Sequence, residues 1–137
     1  MIRAYFPDEA DHDQLRRLLR EGKAPIVTSE LTRLEFTSAA ASAYLAHRIP
    51  DPHAVLNQFE SDCGEGALIT LLRLEPRTIL PLAQRLVTQY PLRTMDAVHL
   101  AVSLTDAVAL TDGGEITVAT RDKRQAEAAR ACGLAVI

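Results

Sequence analysis

Three carboxylates that lie far apart in the sequence, Glu35, Asp96 and Asp122, are the side chains with the clearest potential for chemistry. Carboxylates brought close together repel one another and raise each other's pKa unless a cation lies among them. Ligand sets made only of oxygen favour Mg²⁺ or Mn²⁺ over zinc. A metal of this kind activates a water molecule and stabilises charge on a phosphoryl oxygen. If the three acids converge, the sequence therefore predicts metal-assisted attack on a phosphate ester.

Asp96 lies in the first turn of a helix that is apolar almost all round, with Thr94 as its predicted N-cap. An apolar helix of this kind belongs in a core. Its polar exceptions have a spacing of i, i+3, i+7 and i+10, which places them on one stripe: Asp96, His99, Ser103 and Asp106. The helix dipole favours an ionised carboxylate at this end. Asp96 is therefore either a ligand for a hard cation or an acid that only stabilises the helix start.

Glu35 falls on the leucine face of a helix predicted to run from a Thr28-Ser29 cap to about His47. On a wheel of 100° per residue, that face holds Leu31, Leu34, Ser38, Ser42 and Leu45. A glutamate on a core face costs several kcal/mol without a partner or a metal. Glu35 is therefore either a ligand or a long side chain that reaches solvent at the edge of the apolar stripe.

Asp122 comes after the predicted strand Ile116–Ala119, separated from it by only two residues, Thr120 and Arg121. Functional sites in α/β proteins form beyond the carboxyl ends of the strands. Asp122 is also a natural N-cap for the next helix, and capping is compatible with metal binding. Its position therefore allows either the cap alone or both roles.

Short apolar strands alternate with helices along the whole chain, so we predict an α/β fold of three layers. The mostly parallel sheet would have helices on both faces. The first helix is predicted to open at Pro7-Asp8-Glu9 and to stop at Gly22, and another begins at Asp51-Pro52. Asp112-Gly113-Gly114 reads as a turn, and Gly133 ends the last helix. A length of 137 residues allows one domain, residues 1–137.

Composition and charge exclude several classes of protein. No apolar run is long enough to span a membrane, and the first residues do not resemble a signal peptide. Cys63 and Cys132 match no disulfide or metal spacing, which predicts reduced thiols in a cytoplasmic protein. A net charge of −3 argues against passive coating of nucleic acid, but it allows an enzyme that reaches nucleic acid through a metal.

The charge is unevenly distributed between the two halves of the chain. Residues 1–65 hold eleven acids and seven bases, whereas residues 66–137 hold seven acids and eight bases. The cations of the second half are either a path for phosphates or solvated surface groups. They include Arg73, Arg77, Arg85, Arg93, Arg121, Lys123 and Arg124.

Three segments of the chain together resemble the PIN domain, in particular the VapC-type toxins of bacterial toxin–antitoxin pairs. They are Thr28-Ser29-Glu30-Leu31-Thr32-Arg33-Leu34-Glu35-Phe36, Arg93-Thr94-Met95-Asp96-Ala97-Val98-His99-Leu100-Ala101, and Thr120-Arg121-Asp122 with the helix and Gly133-Leu134 after it. The Asp-Ala-Val-His-Leu-Ala run is the most specific of these. The resemblance implies a Mg²⁺- or Mn²⁺-dependent endoribonuclease, with Glu35, Asp96 and Asp122 as metal-binding catalytic acids. It also implies an RNA substrate, a small antitoxin as partner, and a homodimer.

The chain departs from this family at its beginning. The family's first acid ends a first, central strand in an Asp-(Thr/Ser)-(Ser/Ala) segment that this sequence lacks. Ala4 to Glu9 resembles the segment directly after that strand, and Asp8 and Glu9 are helix-start acids rather than replacements for the first acid. The resemblance therefore implies an N-terminally truncated PIN-like domain, with a start upstream of Met1 as one explanation and an inactive relic as the other.

Three functions are compatible with these observations. The first is a VapC-like ribonuclease, and the second is a catalytically impaired PIN-like protein that binds an antitoxin or a partner subunit. The third is an unrelated doubly wound domain that binds a phosphorylated ligand, but no Gly-rich phosphate loop comes after any predicted strand.

Overall fold

Helices and short strands alternate along the chain, as the α/β prediction requires. The computed structural model describes residues 2–63, 66–111 and 114–137. A short 3₁₀ helix, Ile2–Tyr5, comes first. The later elements are α1 (His12–Glu21), β1 (Ile26–Ser29), α2 (Thr32–Leu45), α3 (Pro52–Asp62), β2 (Ile69–Leu72), α4 (Pro76–Gln89), α5 (Thr94–Val102), β3 (Thr117–Val118), α6 (Lys123–Ala131) and β4 (Ala135–Val136). The strands form two pairs, β1 with β2 and β3 with β4, and helices flank them. The chain divides into two units, Met1–Leu71 and Leu72–Ile137.

The first unit is built around an aromatic core. Phe36 of α2 and Phe59 of α3 stack with ring centroids 4.3 Å apart, and the Tyr5 ring meets both of them edge-on. Phe6 and Ile69 are buried beside these rings. Aromatic pairs in such arrangements contribute about 0.5–1.5 kcal/mol each beyond the area that they bury. The 3₁₀ helix at the start of the chain is therefore part of this core.

The second unit is a packing of helices around α5, the apolar helix that the sequence predicted to be buried. Ala97, Val98, Leu100, Ala101 and Val102 are all buried. Both α4 and α6 pack against α5. The small residues of α6 allow close approach, since Ala126, Ala128 and Ala129 are buried. β3 and β4 run parallel, with Thr117 opposite Ala135 and Val118 opposite Val136.

α5 continues into a π-helical segment, Ser103–Ala107. The hydroxyls of Ser103 and Thr105 donate to the carbonyl oxygens of His99 and Ala101, at 2.9 Å each. A π-helical turn holds more residues than an α-helical turn. The predicted stripe therefore loses its register after Ser103, and Asp106 does not continue the line that Asp96 begins.

Several helix boundaries differ from the prediction for local reasons. α1 begins at His12 rather than at Pro7, because residues 6–12 form successive hydrogen-bonded turns, such as the one from Glu9 N–H to the Phe6 carbonyl. α2 begins at Thr32 because Thr28 and Ser29 end β1, where Ser29 Oγ accepts from the N–H of Leu31. Thr94 is the first residue of α5, and Arg93 occupies the N-cap position.

Other local predictions are confirmed. Asp51 caps α3 by accepting from the N–H of His53 at 2.9 Å, with Pro52 at the first helical position. Gly133 comes after α6 with φ of 87°, a conformation that favours glycine. Within the predicted Asp112-Gly113-Gly114 turn, residues 112 and 113 lie outside the described residues. Over the parts that are described, no helix is both long enough and apolar enough to cross a membrane.

Candidate metal-binding site

Asp96 lies in the first turn of α5, as predicted, and is half-buried. The next two residues, Ala97 and Val98, are buried, so the core fixes the helix directly beneath the carboxylate. The N–H of Ala97 donates to the carbonyl oxygen of Arg93 at 3.0 Å and closes the first turn. The positive end of the helix dipole favours the charged form of an acid at this place.

Asp122 caps α6, which confirms one of the two roles that the sequence allowed. Its Oδ1 accepts from the N–H of Arg124 at 2.8 Å and from the N–H of Gln125 at 3.1 Å. The Gln125 hydrogen bond is the main cause that holds the pKa of Asp122 below its ordinary value, and the Arg93 and Arg124 cations add to it. The carboxylate is therefore ionised at neutral pH.

The starts of α5 and α6 are neighbours within the second unit. The side-chain amide of Gln125 donates from Nε2 to the carbonyl oxygen of Asp96 at 3.4 Å. Arg93, the residue before α5, acts electrostatically on Asp122 at the start of α6. The second unit therefore brings two of the predicted acids, Asp96 and Asp122, to adjacent helix ends.

The donor set at these helix ends fits a hard divalent cation. Asp122 uses Oδ1 to cap its helix, while Oδ2 receives no hydrogen bond from the described part of the chain. Mg²⁺ is commonly held by one or two carboxylates, with water or substrate phosphate as the other ligands. Over residues 2–63, 66–111 and 114–137, neither unit brings three His, Cys, Asp or Glu side chains together as a metal-binding group. Within the second unit, the candidate ligands are the two acids at the adjacent helix starts, Asp96 and Asp122.

Glu35 lies in α2, in the first unit, and is half-buried. The predicted leucine face was wrong as a core face, because Leu34 is 68% exposed and Leu45 is 76% exposed. The buried face is instead formed by Thr32, Phe36, Ala40 and Ala43. On the helical wheel, Glu35 lies about a quarter turn from the centre of that face. Its place in the metal site remains a prediction from the sequence.

Asp8 and Glu9, the two acids near the start of the chain, have structural partners. Arg48 donates from Nε to Asp8 at 2.6 Å and from Nη2 to Glu9 at 2.7 Å. Arg3 donates to the other oxygen of Glu9 at 2.7 Å. These contacts give both acids a structural role near the start of the chain.

Two residues, Gln125 and Arg93, were not predicted from the sequence to act at the candidate site. Gln125 lies three residues after the cap Asp122, which is the spacing of a capping box, and this was the available signal. Its side chain contacts α5 instead of closing the box, because the Asp122 N–H donates to Thr120 Oγ1 at 3.1 Å. Arg93 had no signal beyond its charge, since its influence on Asp122 depends on the packing of α5 against α6.

Comparison with known families gives one match. The sequence model of the PIN domain family matches residues 1–131, a range that includes Glu35, Asp96 and Asp122. Neither the curated proteins nor the solved structures contain a match to the chain. The match excludes the third hypothesis that was drawn from the sequence, an unrelated phosphate-binding domain.

Proposed function

The chain belongs to the PIN domain family, a family of nucleases, and on this premise we propose that it is a Mg²⁺- or Mn²⁺-dependent endoribonuclease of the toxin–antitoxin type. The observation that carries the proposal is the pair of carboxylates, Asp96 and Asp122, at the adjacent starts of α5 and α6. Such an enzyme would act on cellular RNA, so the cytoplasm is the compartment that we propose.

Asp96 and Asp122 would hold the ion, and Glu35 is the proposed third acid. When bound, a divalent ion supplies an activated water and neutralises charge on a phosphoryl oxygen. The chain contributes fixed positions: the buried residues after Asp96 hold its backbone, and two N–H groups orient the Asp122 carboxylate. Ligands that are already oriented need little reorganisation when the site is used.

Replacement of Asp96 by Asn tests the proposal directly. Asp96→Asn removes the charge and keeps the shape, so we expect RNA cleavage to fall by at least about 100-fold, since even outer-shell changes at metal sites cost 10–100-fold. The measurement is cleavage of a mixed single-stranded RNA with Mg²⁺ or Mn²⁺, together with the thermal unfolding temperature. Asp13→Asn is the matched control, because the Asp13 side chain is 95% exposed on α1. Cleavage at the wild-type rate by Asp96→Asn would refute the assignment.

One observation favours a second candidate, a catalytically impaired PIN-like protein that binds an antitoxin or partner subunit. Over its described residues, neither unit by itself assembles three metal-binding side chains. The same cleavage assay separates the two candidates. The second predicts no metal-dependent cleavage by the wild-type chain and no difference between Asp96→Asn and Asp13→Asn.

The proposed partner is a small antitoxin. The family resemblance suggests a docking surface on the small residues Ala39, Ala40 and Ala43 of α2 and on the helix that begins at Asp51, and the part of it on α2 needs correction. Ala40 and Ala43 are buried in the first unit's core and cannot receive a partner. The large apolar side chains that α2 exposes are Leu34, Tyr44 and Leu45, and we propose that an amphipathic segment of the partner covers them. Co-expression with the product of a neighbouring small gene should give a stable complex that Leu34→Glu weakens. Separate elution at micromolar concentration would contradict the proposal, and a dimer of the chain alone would identify a second copy as the occupant.

A further inference from the structure

We propose that two exposed cations of α6, Lys123 and Arg130, bind phosphates of the RNA next to the scissile position. The proposal rests on the proposed function, because it assigns a path to the RNA that Asp96 and Asp122 would cut. It goes further because it predicts the course of the RNA over the second unit, along the exposed face of α6.

A shallow cavity lies beside Asp122 and provides the space for this path. Its volume is about 370 Å³. Lys123, Arg130 and Thr120 line it, and so does Asp122 itself. A phosphate in this cavity would therefore lie next to one of the two proposed metal ligands.

Lys123 and Arg130 are exposed and form no ion pair with any residue that the structure describes. The first unit is different, because acidic partners there occupy several cations, Arg3, Arg16, Arg33 and Arg48. Cations left unpaired along a cavity can replace the counterions of a polyanion. The two α6 side chains are therefore available to an incoming phosphate without the loss of an existing ion pair.

The spacing of the two cations fits more than one phosphate. Lys123 and Arg130 are seven residues apart on one helix, which corresponds to about 10 Å along its axis. Glu127 lies between them in sequence and also lines the cavity, and its negative charge opposes the two positive charges. Removal of the acid should therefore increase the affinity for RNA, whereas removal of the two bases should decrease it.

The salt dependence of RNA binding tests the proposal. The probe is a short fluorescein-labelled oligouridine, measured by fluorescence anisotropy in EDTA over a series of KCl concentrations, so that the RNA stays intact. Each lost phosphate contact on a single strand makes the slope of log K against log salt less negative by about 0.7. For Lys123→Gln/Arg130→Gln we therefore expect a slope less negative by about 1.4. Glu127→Gln should increase the affinity by about twofold at low salt, because it removes a charge of the same sign as the RNA.

Arg17→Gln/Arg20→Gln is the matched control, since it makes the same change in charge with two exposed cations of α1 that form no ion pair with the described residues. An equal change of slope in both double variants, an unchanged slope in the α6 variant, or no binding by the wild-type chain would each overturn the proposal. A metal-dependent cleavage assay separates this failure from that of the proposed function. If the wild-type chain cleaves RNA but the α6 double variant keeps the wild-type slope, the proposed function stands and the phosphate path along α6 is refuted. If the slopes change as expected but the wild-type chain does not cleave RNA, α6 is an RNA-binding face and the nuclease proposal is refuted.

Discussion

Asp62 brings a negative charge into the interior of the first unit, where it is 8% exposed. Three donors surround it: Tyr5 Oη at 2.8 Å and Arg16 Nη1 at 2.9 Å bond to Oδ2, and Gln58 Nε2 at 3.1 Å bonds to Oδ1. Burial is the main cause that raises the pKa of the Tyr5 hydroxyl well above its ordinary value, and the hydrogen bond to Asp62 adds to it. The network joins the start of the chain and α1 to the end of α3.

Removal of the carboxylate should therefore destabilise the protein strongly. We expect Asp62→Ala to lower the free energy of unfolding by about 3–5 kcal/mol, because it leaves the Arg16 charge without its partner in a largely buried place. Urea unfolding followed by circular dichroism is the measurement. Tyr5→Phe is the graded comparison, with an expected loss of about 1 kcal/mol, since Asp62 keeps two donors. Equal losses in the two variants would show that the ion pair contributes nothing.

The residues that the sequence located well are those whose roles are local. Asp51 and Asp122 cap helices and Gly133 ends one, because each role depends on a few neighbouring backbone groups. The network of Asp62 could not be read in the same way. Its partners Tyr5 and Arg16 lie 57 and 46 residues away, and no periodicity connects them.

Among the elements, α2 is the helix whose buried face sequence periodicity predicted wrongly. The wheel favoured the leucines, but the core accepted Phe36 with the small residues Ala40 and Ala43. The ring of Phe59 stacks on Phe36, so volume matching across two helices decided the face. The packing partner of this face belongs to α3, so a helical wheel of α2 alone cannot identify the buried face.

This difference predicts unequal effects for two neighbouring truncations on α2. We expect Phe36→Ala to cost about 3–5 kcal/mol, since a fully buried ring leaves a cavity. We expect Leu34→Ala to change stability by no more than about 0.5 kcal/mol, because that side chain is largely in solvent. Chemical denaturation of both variants gives the comparison. A large loss for Leu34→Ala together with a small loss for Phe36→Ala would restore the leucine face as the core.

The segment between the 3₁₀ helix and α1 depends on charge, and its contribution to stability should depend on pH. Hydrogen bonds from Arg48 lower the pKa values of both Asp8 and Glu9, and Arg3 adds to the effect on Glu9. Acids with lowered pKa values in the folded state stabilise it above their unfolded pKa values, about 3.9 and 4.3, and lose this contribution as the pH falls through the folded values.

We therefore expect Arg48→Gln to lower the Tm at pH 7, and we expect the gap to the wild type to close as the pH falls below about 4. Thermal unfolding between neutral and strongly acidic pH is the measurement, and high salt should narrow the gap at pH 7 because Arg48 and Asp8 are exposed. Arg20→Gln is the control, with an exposed cation that forms no ion pair among the described residues. A gap that stays constant down to acidic pH would contradict the electrostatic explanation.

At the scale of the whole molecule, the two units differ in the ion pairing of their cations. Ion pairs hold segments of the first unit together, whereas Lys123 and Arg130 in the second unit form none with the described residues. The sequence showed the uneven distribution of charge but could not show which cations were already paired. Pairing depends on contacts such as Arg48 with Asp8, which are separated by 40 residues.

The three proposed metal-binding acids are divided between the units, since Glu35 belongs to the first and Asp96 and Asp122 belong to the second. The structure places Asp96 and Asp122 at adjacent helix starts, while the place of Glu35 in the site is a prediction from the sequence. If all three hold the ion, each replacement by an amide removes one anionic ligand from a hard cation, and the affinity for the ion should fall in all three variants.

We therefore expect Glu35→Gln, Asp96→Asn and Asp122→Asn each to weaken Mn²⁺ binding by at least about 10-fold. Titration of Mn²⁺ followed by electron paramagnetic resonance measures this without any RNA, and Glu30→Gln, five residues from Glu35, is the matched control. Wild-type affinity in Glu35→Gln, with losses in the other two, would reduce the site to the two carboxylates of the second unit.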